Sequence, residues 1–432
     1  MVMIRAAFVK IWGQRVGAVA WNEEDGTATF EYDPEFASTG LNLSPITLPD
    51  ASRTYRFPEL RNNTTFKGLP GMLADVLPDQ YGNAVINQWL VKNNRPANSL
   101  NPIETLCFIG ERGMGALTFE PAVPAERGTA VKLELEDLID ASSRILAGRQ
   151  AFTTPLEPDQ EKALLALFKI GTSAGGARAK GIIAYNPETQ EIRSGQADAP
   201  NGFEHYLIKF DGVQDEQFGV SSGYGRVEMA YYQMALDAGI EMMESSLLEE
   251  NGRAHFMTKR FDRVGGKGKI HTQSFCALRH YDFKDVGVYS YEDLFETMRL
   301  LVLPYPQAVQ LFKRMVFNVL ARNCDDHTKN FGFTMSPSGA WSLSPAYDVC
   351  HAYRPSSTWV SKHCLSINGK RDRIEHADFL EVARKMNIKG AREIVDTVDQ
   401  VVGRWRTYAD QYKVDPALRD GIEKTLLSSY LR

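Results

Sequence analysis

Asn323-Cys324-Asp325-Asp326-His327-Thr328-Lys329-Asn330 decides the reading of this chain, together with Ser344-Pro345-Ala346-Tyr347-Asp348 beyond the next strand-like piece. Polar and charged residues crowd there between two apolar runs, 315–321 and 331–333. Asp325 and Asn330 have the spacing D-x-x-x-x-N of a phosphoryl-transfer catalytic loop, in which the Asp accepts a hydroxyl proton and the Asn holds a magnesium ion. Asp348, at the end of the following hairpin, stands where a second metal-holding oxygen would be needed. A phosphoryl group in transfer is highly charged. Hard oxygen ligands keep the cation beside it, and a carboxylate aims the nucleophile. An Asp/Asn-rich loop behind a helix also serves as a plain cap and turn. Asp348 and the features upstream weigh against that blander reading.

Outward toward the N-terminus, residues 171–180 read GTSAGGARAK. Gly175, Gly176, Ala177 and Ala179 would let backbone N–H groups approach a phosphate, and Arg178 and Lys180 add positive charge. The loop is neither a Walker A nor a G-x-G-x-x-G motif. Next comes the alternating strand HYLIKF (205–210). Its Lys209 is either an outward-facing charge or the strand lysine that pairs with ATP phosphates and a helical Glu. The helix over 225–240 supplies that partner as Glu228, which could equally be a solvated helix charge. Lys259, Arg260 and Phe261 then close a strand and would form the hinge between lobes, where backbone groups could hold adenine. His327 is a nucleotide contact or a loop histidine bonded to backbone. Lys329 and Tyr347 are further nucleotide-binding candidates in the opening stretch.

Residues 4–32 read as a three-stranded meander, 43–49 as an extended piece, 70–92 as helical, 101–106 as a short helix and 115–119 as a strand. The first 122 residues show no catalytic cluster and are expected to be a structural or docking module. Helices are expected over 131–146 and from 155, and paired strands near 181–195. After about residue 285 the pattern is helical to the end, including 376–388, 392–412 and 416–431. The expectation is an α+β chain with a two-lobed protein-kinase-like fold. A β-rich N-terminal subdomain (1–122) precedes a kinase N-lobe with the Gly-rich loop and Lys strand (123–263) and a mostly α-helical C-lobe (264–432).

The chain has 432 residues, with 43% hydrophobic and 24% charged. That is room for two or three domains of ordinary soluble composition. A net charge of −5 does not describe a general nucleic-acid binder. Five scattered cysteines without a C-x-x-C pair argue against a disulfide scaffold or Cys-based zinc site and fit a reducing cytoplasm. No stretch reaches transmembrane length and the opening residues lack a signal-peptide core, so a cytoplasmic protein without membrane partners is expected.

In this order the motifs resemble the HipA family of bacterial serine/threonine kinases, the toxin half of a toxin–antitoxin pair. TSAGGARAK is similar to the family's glycine-rich loop, YLIKF to its lysine strand and KRFDR to its hinge. NCDDHTKNF is similar to its catalytic loop, SPAYDV to its metal-binding segment, and FVKIWGQRVGAVAW to the start of its N-terminal subdomain. The resemblance implies Asp325 as catalytic base, Asn330 and Asp348 as magnesium holders, Lys209 on the ATP phosphates, and Gly175 to Lys180 around the nucleotide. It implies autophosphorylation at Ser173, with Thr172 beside it, which shuts the kinase off; a phosphate of roughly −2 charge in the same cradle would repel ATP. It also implies ATP and Mg²⁺ as cofactors, a small helix-turn-helix antitoxin as partner, operator DNA through that complex, and an aminoacyl-tRNA synthetase as target. The Ala-Arg-Ala of the loop departs from better-known members. Two other readings stand beside the protein kinase: a small-molecule phosphotransferase, and a non-catalytic co-repressor whose basic run Lys370-Arg371-Asp372-Arg373 touches DNA. A two-metal hydrolase built on Asp325, Asp326 and His327 lacks a second cluster.

Overall fold

The structure is a computed structural model, and it describes residues 4–120, 179–195, 199–215, 219–220 and 223–431. The helices expected over 131–146 and from 155 lie outside the described residues.

The N-terminal meander is β1 (Ala6–Ile11), β2 (Gln14–Asn22) and β3 (Thr27–Tyr32). The short helix α1 (Pro34–Ala37) and the strand β4 (Thr54–Arg56) follow. Then come helices α2 (Gly71–Ala74), α3 (Gln80–Lys92) and α4 (Pro102–Ile109), and β5 (Leu117–Glu120). The sheet order is β4-β3-β2-β1-β5. In β1, Ala7, Val9 and Ile11 face the core while Ala6 and Phe8 face out, the period of two that a half-buried strand requires. Residues 43–49 form turns rather than an extended piece: Ser44 is fixed by its neighbours Asn42 and Thr47, and Leu48 N bonds back to Ser44 O. The helix expected over 70–92 is two. Pro78 interrupts it, and Asp79 then caps α3 by accepting from Gly82 N at 2.7 Å.

A second antiparallel sheet holds β6 (Lys180–Tyr185), β7 (Ile192–Ser194) and β8 (Glu204–Lys209). A two-stranded ribbon, β9 (Gln214–Asp215) with β10 (Gly219–Val220), leads to helix α5 (Tyr224–Asp237). The chain returns as β11 (Ser245–Glu250) and β12 (Arg253–Lys259), giving the order β11-β12-β8-β6-β7. β8 is therefore the central strand, and Lys209 is not on an edge. The edge strand β11 escapes sequence reading because its SSLLEE carries little apolar alternation.

Hairpin β13 (Arg263–Val264) and β14 (Gly268–Lys269) leads into β15 (His271–Ser274). Helices α6 (Phe275–Arg279), α7 (Tyr291–Leu300) and α8 (Tyr305–Leu320) follow. Beyond α8 come β16 (Gly332–Met335) and β17 (Trp341–Leu343), and the third sheet has the order β15-β16-β17. Helices α9 (His376–Met386), α10 (Ala391–Gly403), α11 (Trp405–Gln411) and α12 (Pro416–Glu423) complete the lobe. Leu311, Phe312, Met315, Val316, Phe317 and Val319 of α8 are fully buried in the largest core, with Tyr231 and Trp405 against them. The helix expected over 392–412 breaks at Arg404. No helix among the described residues is long and apolar enough to cross a membrane.

The N-terminal subdomain packs on both lobes. Its core includes Cys276 and Met335 of the helical lobe. Tyr81, Val85, Ile86 and Leu90 of α3 pack on Ile183, Ile208 and Met257 of the second sheet. Polar ties cross the same seam: Ser274 N and Oγ donate to Asp75 at 2.6 and 2.7 Å, and Thr65 Oγ1 donates to Asp282 at 2.6 Å.

Candidate active site

A cleft of about 1300 Å³ opens where the three parts meet. Lys209, Glu228, Lys180, Lys259, Arg260 and Phe261 line it from the sheet side. Asp325, His327, Lys329, Asn330, Tyr347 and Asp348 line it from the helical side. The third wall comes from the first 120 residues, through Lys67, Asp75, Asp79, Gln80, Asn83 and Asn87. Sequence reading finds no site chemistry in that wall. Its residues are scattered and gain meaning only through packing, and the one local signal is the capping Asp79 after Leu77-Pro78.

Lys209 is the junction. Its Nζ donates to Glu228 Oε1 and, at 2.5 Å, to Asp348 Oδ1. The reach of Glu228 depends on Gly225: a Cβ there would collide with the Ala254 carbonyl, so only glycine lets the first turn of α5 sit this close to β12. Burial works against the Lys209 charge, but the carboxylates of Asp348 and Glu228 outweigh it and hold the ammonium well above its ordinary value. Burial likewise opposes the Asp348 charge, and Lys209 and Lys180 reverse that, bringing the carboxyl down to about 2. Asp348 has φ 52°, the left-handed region that Asp tolerates better than most side chains. The Asn323 side chain reaches the Asp348 carbonyl at 3.4 Å.

The catalytic-loop candidates sit on a buried scaffold. Asp326, with no exposed side-chain surface, accepts from Tyr291 OH (2.9 Å), His363 Nδ1 (2.9 Å) and Cys364 N (2.7 Å). Burial disfavours charge on His363, yet Asp326 raises it to about 10, so the pair is ionic. Asp326 is thus spoken for and points away from the cleft, which removes it from any metal set. Its neighbour Asp325 turns into the cleft. Trp359 Nε1 donates to its Oδ1 at 2.6 Å, and His327 Nε2 stands 3.8 Å from the same oxygen. Burial pushes the Asp325 carboxyl up, against His327 and Trp359. The His327 ring lines the cleft, and its Nδ1 accepts from Lys329 N at 3.2 Å, as expected of a loop histidine bonded to backbone.

Asn330 Nδ2 donates to the Asp325 carbonyl at 2.7 Å, which leaves its side-chain oxygen for a cation. One amide oxygen and the Asp348 carboxylate fit Mg²⁺, a cation that takes one or two protein oxygens and completes its shell from phosphates and water. Among the described residues no group of three or more His, Cys, Asp or Glu is placed to hold a metal by itself.

In the segment expected to be the hinge, Lys259 N donates to Glu244 O and Arg260 N to His205 O, so these two donors serve the fold. The Arg260 guanidinium is buried against Asp262. Phe261 stacks on Tyr347 with ring centroids 5.7 Å apart, and Tyr347 OH donates to the Lys329 carbonyl at 2.8 Å. Lys180 is buried 3.7 Å from Asp79 of the N-terminal wall. Burial raises the Asp79 carboxyl to about 6 despite that lysine. Ala179 is buried at the start of β6. Gly175, Gly176, Ala177 and Arg178, with Thr172 and Ser173, lie outside the described residues. In the basic run, Lys370 pairs with Asp378, Asp372 with Lys362, and Arg371 Nε bonds the His363 carbonyl.

Two family models between them match most of the chain. A family model described as the HipA N-terminal domain matches residues 7–120, and one described as the HipA-like C-terminal domain matches residues 172–405. Among solved structures, the chain is similar to one of the "Shewanella oneidensis MR-1 Toxin Antitoxin System HipA, HipB and its operator DNA complex". The TM-score is 0.68 and the identity 16%, over 98% of this chain and 95% of that one. At that identity the likeness is one of fold. The Helicobacter pylori proinflammatory kinase CtkA aligns at TM-score 0.34 and 13% identity, over 54% of this chain and 90% of that one. In sequence, the "Putative kinase Y4mE" of Sinorhizobium fredii is 26% identical over 136 residues, which is 29% of this chain and 32% of that protein.

Proposed function

The chain belongs to the HipA family, and from that premise we propose that it is an ATP- and Mg²⁺-dependent protein kinase that phosphorylates serine or threonine and acts as a toxin. The observation that carries this reading is Lys209, joined to Glu228 on one side and to Asp348 on the other, in the cleft that Asp325 enters. A co-repressor without catalysis would have no use for that set. A cleft walled by a whole N-terminal subdomain suits a protein segment better than a small-molecule acceptor.

In the proposed reaction Lys209 and Lys180 hold phosphate oxygens from the sheet side, and Phe261 and Tyr347 offer the nucleotide a ring surface. Asn330 and Asp348 would hold Mg²⁺, which neutralises charge on the phosphates in transfer. Asp325 accepts the proton of the acceptor hydroxyl as its oxygen bonds to the γ-phosphorus and the bond to the bridging oxygen breaks, releasing ADP. Burial raises the Asp325 carboxyl, which strengthens it as a proton acceptor. Trp359 and Asn330 fix the base from either side.

We assign autophosphorylation to Ser173, with Thr172 as the neighbouring choice. We assign as partners a small HipB-like antitoxin and, through it, operator DNA, by analogy with the Shewanella complex. An aminoacyl-tRNA synthetase is the proposed target, and the cytoplasm the proposed site of action. The test is labelled ATP with a cell lysate. Wild type labels itself and one or a few lysate proteins, whereas Asp325→Asn and Lys209→Met label none. A band that persists in both variants removes the reading.

A further inference from the structure

Lys180 and Lys209 stand directly opposite one another on the neighbouring strands β6 and β8, so their side chains leave the sheet on the same face, and both line the cleft. Like charges placed this way repel unless each meets a carboxylate. Lys209 has two, Glu228 of α5 and Asp348. Lys180 has Asp79, whose Oδ2 stands 3.7 Å from its Nζ. Both side chains are almost enclosed, with 4% of Lys180 and 10% of Asp79 exposed. Burial lowers the Lys180 ammonium from its ordinary value, and the Asp79 carboxylate is the first of the charges that oppose this. Asp79 itself, raised to about 6, remains ionised at neutral pH.

The two oxygens of Asp79 are used unequally. Oδ1 accepts from Gly82 N at 2.7 Å and caps α3. Oδ2 is buried, makes no hydrogen bond among the described residues, and faces Lys180. A cap needs one oxygen, which serine or asparagine supplies without a buried charge, and a buried carboxylate oxygen left unbonded costs free energy. Capping therefore does not account for the second oxygen. Its place is fixed from both sides: Tyr81, Val85, Ile86 and Leu90 of α3 lie on Ile183, Ile208 and Met257 of the sheet, and Asn83 Nδ2 donates back to the Pro78 and Asp79 carbonyls at 2.8 and 2.7 Å.

We propose that Asp79, from the N-terminal subdomain, is a positioning residue of the nucleotide site, which keeps the Lys180 ammonium charged and in place for the phosphates as Glu228 does for Lys209. This deepens the kinase reading and rests on its assignment of Lys180 to phosphate oxygens. The N-terminal subdomain then contributes to nucleotide affinity through one carboxylate, carried on the helix that packs it against the sheet. A separation of 3.7 Å is long for a hydrogen bond, so the ammonium can turn to a phosphate oxygen without breaking one.

The test measures, by calorimetry on the full chain, the binding of adenylyl imidodiphosphate with Mg²⁺ and of adenosine, which has no phosphate. Asp79→Ser keeps a helix cap and removes the carboxylate. It should weaken the triphosphate analogue about tenfold and leave both adenosine binding and the melting temperature unchanged. Lys180→Met should weaken the analogue at least as much, and Asp79→Ser added to it should bring no further loss. Where the serine lowers the melting temperature, Asp79→Asn carries the same comparison. Full affinity for the analogue in either folded variant overturns the proposal and leaves Asp79 a helix cap. So does an equal loss of adenosine binding, or a loss that persists undiminished in the Lys180→Met background. Lysate labelling with labelled ATP, run alongside, keeps the two readings apart. If the analogue binds as expected but the wild type labels no protein, the kinase reading falls and the role of Asp79 stands; if the wild type does not bind the analogue, both fall.

Discussion

At the scale of the residue, two adjacent aspartates have been given opposite tasks by what surrounds them. Asp325 keeps its oxygens toward the cleft, whereas Asp326 spends both of its own on Tyr291, His363 and the Cys364 N–H. Asp325→Asn should lower kcat by about 10²–10⁴-fold, the usual worth of a positioned base, with little change in melting temperature. Asp326→Asn should do the reverse of a clean kinetic lesion. It leaves His363 charged and buried, so unfolding free energy should fall by about 3–5 kcal/mol in denaturant titration, and activity should fall only with the folded fraction. The pH sign follows from His363, whose folded value is raised to about 10. The pair's stabilisation is fully present below the unfolded histidine value near ~6.5 and disappears as pH climbs toward 10. The stability gap between wild type and His363→Gln should therefore be widest below pH 6 and shrink on the alkaline side. A gap that grows with pH would show the pair is not ionic.

At the scale of the element, α5 is set by one glycine. Gly225→Ala forces the helix start away from the Ala254 carbonyl, so Glu228 should lose its reach to Lys209. A drop in kcat/KM of about tenfold or more is expected while far-UV circular dichroism stays unchanged; an unimpaired Gly225→Ala enzyme would show that the ion pair does not govern the site. Elements of this kind separate what sequence reading reaches from what it misses. The D-x-x-x-x-N spacing is legible because it lies within a few residues of chain, whereas Lys209 and Glu228, 19 residues apart, each keep a second reading until the fold pairs them. Strand β11 is not legible, because an edge strand can be polar. The break at Pro78 is not legible because the apolar spacing on its two sides mimics one helix. Lys67 and Asp79 are not legible either, because a lysine in a turn and a cap on a helix look the same whether or not a cleft lies beside them.

At the scale of the whole molecule, the subdomain expected to be a structural or docking module is a wall of the cleft and a lid on two cores. Four large side chains of α3 cover Ile183, Ile208 and Met257, and the N-terminal core encloses Cys276 and Met335. Burying a large apolar side chain contributes roughly 1.5–3 kcal/mol, so the α3 contact alone is worth about 6–12 kcal/mol, comparable to the entire stability of a typical domain. Removal of residues 1–120 should therefore do more than delete a docking surface. The remaining chain is expected to bind a hydrophobic dye strongly, to lose near-ultraviolet dichroism, and to lack the single cooperative calorimetric transition expected of the full chain. The lobes also lose the Asp75–Ser274 and Thr65–Asp282 ties, so separated N-terminal subdomain added back should restore dichroism only if the two surfaces re-form together. A truncated chain that melts cooperatively and binds no dye would show that the two lobes hold their shape alone, and the cleft would then have two walls of its own and a third merely lent to it.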